Sequence, residues 1–157
     1  MSPNSEINPA TPGLTIRPAV PADAETILQL VRGLADYERL PPPDSAAQGR
    51  LIRDMFSTPP RIQAFLGEYQ GIAAGYAFVF ETYSSFLAFP TLYLEDLFVD
   101  PARRAKGAGR ALIAATYVEA DKRGCTRTYW STQESNYRAR GLYDQVATKS
   151  PFVQYRR

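Results

Sequence analysis

The segment YLEDLFVDPARRAKGAGRALI, residues 93–113, decides the fold. Its first seven residues are mostly apolar, β-branched or aromatic, a composition typical of a buried strand, yet Glu95 and Asp96 interrupt it. Asp100-Pro101 ends the strand, a basic loop with glycines follows, and an Ala- and Leu-rich amphipathic pattern then predicts a helix that ends near Gly124. The segment therefore predicts a strand–loop–helix unit within an α/β domain.

The loop between this strand and this helix suits an anion. The first turn of a helix has unpaired N–H groups and a positive dipole end, which together favour a phosphate. Gly107 and Gly109 let the backbone approach a ligand without a Cβ in the way. Compensating positive charge comes from Arg103, Arg104, Lys106 and Arg110. From the residues alone, a solvated basic loop before an amphipathic helix stays open as the alternative.

The two acids of the strand raise a separate question. Neighbouring side chains in a strand point to opposite faces, so Glu95 and Asp96 share one pocket only if the strand bulges. With helices on both faces, a buried carboxylate needs a partner, a proton or a ligand. A pair of structural acids bound to backbone or arginine is the alternative that the residues leave open.

Composition restricts the chemistry. The chain of 157 residues contains no histidine, which excludes a His-based triad, a His metal site and a His general base. Its 18 basic and 16 acidic residues leave a charge of only +2, so we expect no nucleic-acid partner. The single Cys125 excludes an intrachain disulfide and a Cys-based metal cluster, and we expect it in the core. Without an apolar span or a secretory signal, we expect no membrane association and a cytoplasmic location.

The remaining patterns predict the order β α α β β β α β α β, a mixed α/β domain with helices on both faces of one sheet. We expect residues 1–13 to be a disordered tail and residues 14–157 to form a single domain. The predicted strands are Leu14–Ala19, Arg61–Tyr69, Ile72–Glu81, Leu92–Val99, a short one around Arg127–Trp130, and Phe152–Tyr155. Besides the helix of the opening segment, the predicted helices run from Pro21 to Glu38, from Ser45 (with Gln48 at capping-box spacing) to before Pro59, and near Ser135–Gln145.

The loop motif Arg104-x-x-Gly107-x-Gly109 resembles the R/Q-x-x-G-x-G/A signature of the GCN5-related N-acetyltransferases, the GNAT superfamily. In that superfamily the loop binds the pyrophosphate of acetyl-coenzyme A. Four further motifs resemble, in the same order, those of the spermidine/spermine and thialysine acetyltransferases and their bacterial relatives: LADYERL (34–40), FETYSSF (80–86), YLEDLFV (93–99) and ESNYRARGLYD (134–144). Ala105 departs from the pattern, since many relatives have glycine there.

The resemblance implies the GNAT fold, with one mixed, mostly antiparallel sheet that is splayed at the Leu92–Val99 strand. It also implies acetyl-CoA as co-substrate, no metal, and a homodimer. The cofactor would contact the backbone of Leu97, Phe98 and Val99, the loop residues Arg103, Arg104, Ala105, Lys106, Gly107, Ala108, Gly109 and Arg110, and the side chains of Asn136 and Tyr143. From the residues alone, Asn136 could instead cap the last helix, and Tyr143 could be a core residue.

The resemblance also implies catalytic roles. Glu95 would remove a proton from the amine, through water, and Tyr143 would donate a proton to the departing thiolate. Asp96 would hold the cationic substrate or orient that water. The expected substrate-binding residues are Asp96, Glu38, Tyr37 and Tyr83.

The expected function is transfer of an acetyl group from acetyl-CoA to the primary amine of a small molecule, a diamine, polyamine or amino-acid-like compound, by direct attack in a ternary complex. Ser84 and Phe86 stand where some polyamine enzymes carry an acid and a tryptophan. This difference favours a small primary amine or an amino-acid-like substrate over long polyamines. Acetylation of protein lysines or N-termini, and a non-catalytic acyl-CoA sensor, are the alternatives.

Overall fold

The computed structural model describes residues 11–157, so most of the expected tail, residues 1–10, lies outside the described part of the chain. The strands are β1 (Leu14–Pro18), β2 (Gln63–Tyr69), β3 (Ile72–Ser84), β4 (Phe89–Val99) and β5 (Thr128–Tyr129). The α-helices are α1 (Ala24–Glu38), α2 (Ser45–Phe56), α3 (Ala108–Lys122) and α4 (Tyr137–Val146). Short 3-10 turns at Pro21–Asp23 and Pro101–Arg103 precede α1 and α3. None of the described helices is long and apolar enough to cross a membrane.

The five strands form one sheet in chain order, β1-β2-β3-β4-β5. The first three pairings are antiparallel, and β4 pairs with β5 in parallel. That last pairing is limited to Leu92 opposite Thr128 and Tyr93 opposite Tyr129. Between Glu95 and Val99, no strand of residues 11–157 pairs with β4 on its β5 side. The predicted mixed, splayed sheet is confirmed.

Helices cover both faces of the sheet, as predicted. On one face α1 and α2 bury an apolar cluster against β2, β3 and β4, with Ile27, Met55 and Phe98 among its members. On the other face α3 packs Leu112 and Ile113 into a second cluster. Burial of these side chains supplies the main driving force for the fold.

The hairpin turns follow the backbone preferences of their residues. Gln70 and Gly71 have φ values of +52° and +77°, the left-handed pair that a two-residue turn requires, and they join the antiparallel strands β2 and β3 in a tight hairpin. The carbonyl of Gly13 accepts a hydrogen bond from the Gln70 N–H at 2.7 Å, so contacts with the domain begin just before residue 14. β3 and β4 both extend further than predicted, leaving residues 85–88 as the turn between them.

The cap of α2 differs from the prediction. Asp44 is the N-cap residue, and its carboxylate accepts the Ala47 N–H at 2.8 Å, whereas Ser45 is already helical. The Gln48 amide donates to the Pro43 carbonyl at 2.9 Å instead of completing a box with Ser45. Asp44 is as good a cap as serine and lies one residue earlier, so it starts the helix.

The predicted strand Phe152–Tyr155 is wrong. Residues 152–157 have no strand structure, and the side chains of Phe152, Val153 and Tyr155 are 88%, 74% and 92% exposed. The sequence pattern is compatible with a strand, but β5 has only two residues and offers a sixth strand very little edge to pair with.

Candidate active site

A β-bulge in β4 lies at the two acids. Asp96 pairs with Phe78 of β3, while the next β3 residue, Val79, pairs with Leu94. Glu95 is therefore the extra residue, without a partner in the ladder. The β-bulge that Glu95 and Asp96 need in order to share one pocket is therefore present.

The bulge places both carboxylates on one face of the sheet. Leu94, just before it, and Leu97, just after it, both pack into the cluster beneath α3. Because side chains alternate along a strand, Glu95 and Asp96 both lie on the opposite face, toward α1. Glu95 is exposed, and Asp96 is half-buried.

One cavity, of about 920 Å³, collects most of the predicted site. It lies where β4 separates from β5, between the end of α1, the loop before α3 and the start of α4. Its predicted members are Tyr37, Glu38, Glu95, Asp96, Leu97, Phe98, Val99, Arg104, Ala105, Gly107, Ala108, Gly109, Arg110, Asn136 and Tyr143.

Three predicted residues lie outside the cavity wall. Tyr83 is 68% exposed, near the β3–β4 turn. Arg103 ends the 3-10 turn before the loop, and the Lys106 ammonium lies 5.7 Å from the centre of the Tyr69 ring. Within the described chain, these side chains are not brought together with the two acids.

The start of α3 forms one wall of the cavity. Gly107, with φ +82°, is its N-cap residue, and the Gly107 carbonyl accepts the first helical hydrogen bond, from the Ala111 N–H at 3.0 Å. The N–H groups of residues 108–110 therefore have no partner within the helix. Ala105 also has a positive φ, +63°, although it is not glycine. The wall offers backbone donors and the positive end of a helix dipole.

Arg104 ties the strand to α1. Its Nε donates to the Val99 carbonyl at 3.0 Å, and its guanidinium carbon lies 4.9 Å from the centre of the Tyr37 ring. Arg110, in the first turn of α3, contacts the Gln145 side-chain amide. Both guanidinium groups line the cavity with their charge beside the helix N-terminus.

Asp96 has a buried partner. The Tyr76 hydroxyl donates to its Oδ2 at 2.9 Å, and Tyr76 is completely buried. Burial raises the pKa of Asp96 to about 6, and the negative charges of Glu95 and Glu38 add to the rise, while the Tyr76 hydrogen bond opposes it. Asp96 therefore changes protonation state close to neutral pH.

Tyr143 reaches the same cavity from α4. Its ring packs against Trp130 with centroids 5.4 Å apart. Burial raises the pKa of Tyr143, and the nearby Tyr37 and Glu38 act in the same direction. The hydroxyl therefore stays protonated at neutral pH and is able to donate a proton.

Asn136 stands at the N-cap position of α4, but its side chain makes no capping hydrogen bond, so the capping interpretation is wrong. Its Nδ2 instead donates to Thr132 Oγ1 at 3.0 Å, and its Oδ1 lies 3.5 Å from the Tyr37 hydroxyl. The amide thus connects α4 to the end of α1 across the cavity.

Sequence reasoning missed Tyr76 and several wall residues. Tyr76 resembles an ordinary buried aromatic residue of a strand, and only the β3–β4 register, with Tyr76 opposite Phe98, places it beside Asp96. The wall residues without a prediction are Leu34, Arg39, Ser131, Thr132, Gln133, Ser135, Tyr137, Arg138, Ala139 and Leu142.

Several known proteins have similar sequences. The thialysine N-epsilon-acetyltransferase of Bos taurus is 32% identical over 142 residues, 85% of this chain and 83% of that protein. The D-amino-acid N-acetyltransferase HPA3 of Saccharomyces cerevisiae is 39% identical over 87 residues, 55% of this chain; the match spans about half, 54%, of the yeast protein. The L-ornithine N5-acetyltransferase NATA1 of Arabidopsis thaliana is 35% identical over 78 residues, 50% of this chain and 34% of that protein.

Solved structures show the same fold at lower identity. A probable acetyltransferase superposes with a TM-score of 0.80 at 15% identity, over 90% of this chain and 95% of the other. An aminoglycoside N-acetyltransferase in complex with CoA has a TM-score of 0.75 at 22% identity, over 92% and 93% of the two chains. The family model described as "Acetyltransferase (GNAT) family" matches residues 28–147, most of the chain. The protein therefore belongs to the GNAT family of acetyltransferases.

Proposed function

We propose that the protein transfers the acetyl group of acetyl-CoA to the primary amine of a small, amino-acid-like molecule or short diamine. The observation that carries this proposal is the single cavity that joins the N-terminus of α3 to two carboxylates and a protonated tyrosine. An anion site, a proton acceptor and a proton donor are the three parts that acetyl transfer from a thioester to an amine needs.

The cavity fits coenzyme A at one end. The free N–H groups at the start of α3, with Arg104 and Arg110, would hold the pyrophosphate. The edge of β4 at Leu97–Val99, which pairs with no strand of residues 11–157 on its β5 side, would hydrogen-bond the pantetheine amides, as an added strand does. Asn136 lies on the opposite wall and has an amide suited to the same arm.

The other end fits the reaction. An alkylammonium with a pKa of roughly 10 must lose a proton before its nitrogen can attack the acetyl carbonyl. Glu95 and Asp96 receive the ammonium, and one of them takes a proton from it. The free amine then attacks the acetyl carbonyl to form the C–N bond, and its nitrogen loses a second proton to water. The C–S bond then breaks, and the Tyr143 hydroxyl protonates the departing CoA thiolate. Attack is direct, in a ternary complex.

The substrate class rests on two supports. Three relatives of similar sequence are named for thialysine, D-amino acids and L-ornithine, all amino acids. The wall of the cavity also carries Arg39 and Arg138, cations suited to a substrate carboxylate, alongside the acids that suit an amine.

The proposal is tested by measuring kcat/KM with acetyl-CoA over a panel of amines. The panel holds thialysine, lysine, ornithine, D-amino acids, short diamines, spermidine and spermine. Amino-acid-like amines or short diamines should be the best substrates. A clear preference for spermidine or spermine would overturn the proposed substrate class.

The same assay, run with lysine peptides and free peptide N-termini, separates the alternative functions. Acetylation of peptides alone would indicate a protein acetyltransferase. Binding of acetyl-CoA, measured by calorimetry, with no turnover of any amine would indicate a sensor. For an enzyme, Tyr143→Phe should lower kcat by about 10²-fold or more while acetyl-CoA affinity changes little, because the ring and its packing on Trp130 remain.

A further inference from the structure

The Tyr76–Asp96 hydrogen bond assigns the two carboxylates different tasks. We propose, on the basis of the proposed function, that Asp96 rather than Glu95 accepts the proton of the amine. Tyr76 is then the positioning residue that holds Asp96 for this task. The resemblance to known relatives favours Glu95 for that step, so the structure and the resemblance lead to different expectations.

The geometry supports Asp96 on three grounds. The Tyr76 hydroxyl donates to Oδ2, and no side chain of the described residues hydrogen-bonds to Oδ1, which stays available to a substrate. Asp96 is paired in the β3–β4 ladder and half-buried, whereas Glu95 is the unpaired bulge residue and exposed. A proton acceptor needs a fixed position, and Asp96 is the carboxylate that the fold fixes.

Tyr76 is itself held rigidly. Its ring is fully buried between Phe78, at a centroid distance of 4.8 Å, and Phe98, at 6.3 Å. Burial and the nearby acids raise the pKa of Tyr76 far above its ordinary value, so the hydroxyl is always a donor to Asp96 and never an anion. Tyr76 therefore orients Asp96 without entering proton exchange.

Charged and polar groups from three elements face Asp96. The charged ones are Glu95, beside it on β4, and Glu38 of α1, and the neutral Tyr76 of β3 donates a hydrogen bond. Tyr37, Arg39, Arg104 and Tyr143 line the same cavity. With a pKa of about 6, Asp96 is deprotonated at neutral pH and is a stronger base than an ordinary aspartate. Oδ1 takes one proton from the ammonium, and the free amine then attacks the acetyl carbonyl to form the C–N bond. The nitrogen loses its second proton to water, Tyr143 supplies a proton to the thiolate as the C–S bond breaks, and exchange with water restores both groups.

The test is the pH dependence of kcat/KM for the wild type, Asp96→Asn, Glu95→Gln and Tyr76→Phe, all with one amine, so that the amine's own ionisation is common to every profile. Asp96→Asn should lower kcat/KM by about 10²-fold or more. It should also abolish the acidic limb of the profile, which is the fall of kcat/KM toward low pH as Asp96 takes up a proton. Glu95→Gln should keep the limb and lose less than about tenfold.

Tyr76→Phe should keep the limb but move it to higher pH, by roughly one unit. The shift is to higher pH because the Tyr76 hydroxyl stabilises the charged carboxylate, so removing the hydroxyl raises the pKa of Asp96 further. At high pH the variant should regain activity within about threefold of the wild type. A limb that is unchanged or moved downward in Tyr76→Phe, or one that disappears in Glu95→Gln, would overturn the proposal.

Two controls separate this result from instability and from failure of the proposed function. Tyr117→Phe removes another tyrosyl hydrogen bond, to the Val146 carbonyl at 2.8 Å, and should leave the limb in place. The Asp96 carboxyl carbon, titrated by NMR without substrate, should show the same upward movement in Tyr76→Phe. Absence of turnover with every amine would overturn the proposed function and Asp96 as acceptor; an unmoved NMR titration would overturn the role of Tyr76 even in an active enzyme.

Discussion

At the residue scale, Ala105 carries backbone strain in the loop before α3. Its φ of +63° is in the left-handed region, which costs a residue with a Cβ about 1–2 kcal/mol. Many relatives have glycine at this position, as the resemblance indicates. The chain thus keeps the conformation of the loop without the residue that adopts it most easily.

Ala105→Gly should therefore stabilise the protein by about 0.5–1 kcal/mol, the relief of strain less the greater entropy of glycine in the unfolded chain. Urea unfolding measures the change. Gly107→Ala is the matched control and should destabilise, since Gly107 has φ +82° and a Cβ there would lie 3.2 Å from Thr11 Oγ1. A loss of stability in Ala105→Gly would contradict the assignment of strain.

The raised pKa of Asp96 should also make the stability of the protein depend on pH. Its pKa rises from 3.8 unfolded to about 6 folded, so its contribution to stability is fully present below pH 3.8 and is lost as pH rises through 6. Asp96→Asn avoids that loss, so it should raise the free energy of unfolding near neutral pH by up to about 3 kcal/mol and change it little near pH 4. Chemical denaturation at both pH values tests this, with the exposed Glu95→Gln as control. Equal effects at the two pH values would count against a buried charge.

At the element scale, Gly75 allows a close approach between β3 and β4. A Cβ on Gly75 would lie 2.4 Å from the Phe98 carbonyl oxygen, a backbone atom that cannot turn away. The contact sits beside Val99, where the wall of the cavity begins. The spacing of the two strands there depends on the missing side chain.

Gly75→Ala should destabilise by more than about 2 kcal/mol, and it should weaken acetyl-CoA binding in any folded fraction, because the displaced strand forms the wall. Thermal unfolding and calorimetric titration measure the two effects. Gly49→Ala, in α2 with nothing within 4 Å of its Cβ position, is the control and should stabilise by up to about 1 kcal/mol. A Gly75→Ala protein as stable as the wild type would show that β3 and β4 can separate freely.

The elements also show which features the sequence could predict. Hydrophobic periodicity, together with the glycine, proline and capping residues at element ends, predicts the four helices, five strands and the loop before α3. Each of these features is specified by residues that are neighbours in the sequence. From the residues alone, the bulge at Glu95 is only a condition for a shared pocket, since it depends on the register with Phe78 and Val79; the family resemblance implies it. Tyr76 was missed for the same reason, and Phe152–Tyr155 was wrongly predicted because alternation says nothing about the presence of a partner edge.

At the scale of the whole molecule, the end of the sheet at the β3–β4 turn carries apolar side chains that are exposed to solvent in the monomer. At the β3–β4 turn, Phe86 is fully exposed, and Phe89 and Tyr83 are 52% and 68% exposed. The C-terminal segment adds Phe152 and Tyr155. Exposed aromatic side chains of this kind are typical of an interaction surface, and on this ground we propose that the protein forms the homodimer that the family resemblance implies.

Phe86→Asp should therefore shift the protein toward the monomer, because dimer formation would bury the new charge. Light scattering coupled to size-exclusion chromatography gives the mass of the wild type and the variant. Val118→Asp, at a 59% exposed position on α3, is the control for an added surface charge and should leave the mass unchanged. A monomeric wild type, near the chain mass of 17.5 kDa, would rule out the dimer.

The edge of β4 that pairs with no described strand, from Glu95 to Val99, affects how stable the protein is against aggregation without ligand. Open N–H and C=O groups on a strand edge are a template for strands of other chains, so the empty protein exposes the kind of surface from which aggregation begins. The bulge and Asp100-Pro101 keep this edge short, but they do not close it. A molecule that hydrogen-bonds along β4 would both occupy the edge and stabilise the fold in proportion to its concentration. If the proposed function holds, the lifetime of this protein in storage and in the cell should therefore increase with the concentration of acetyl-CoA.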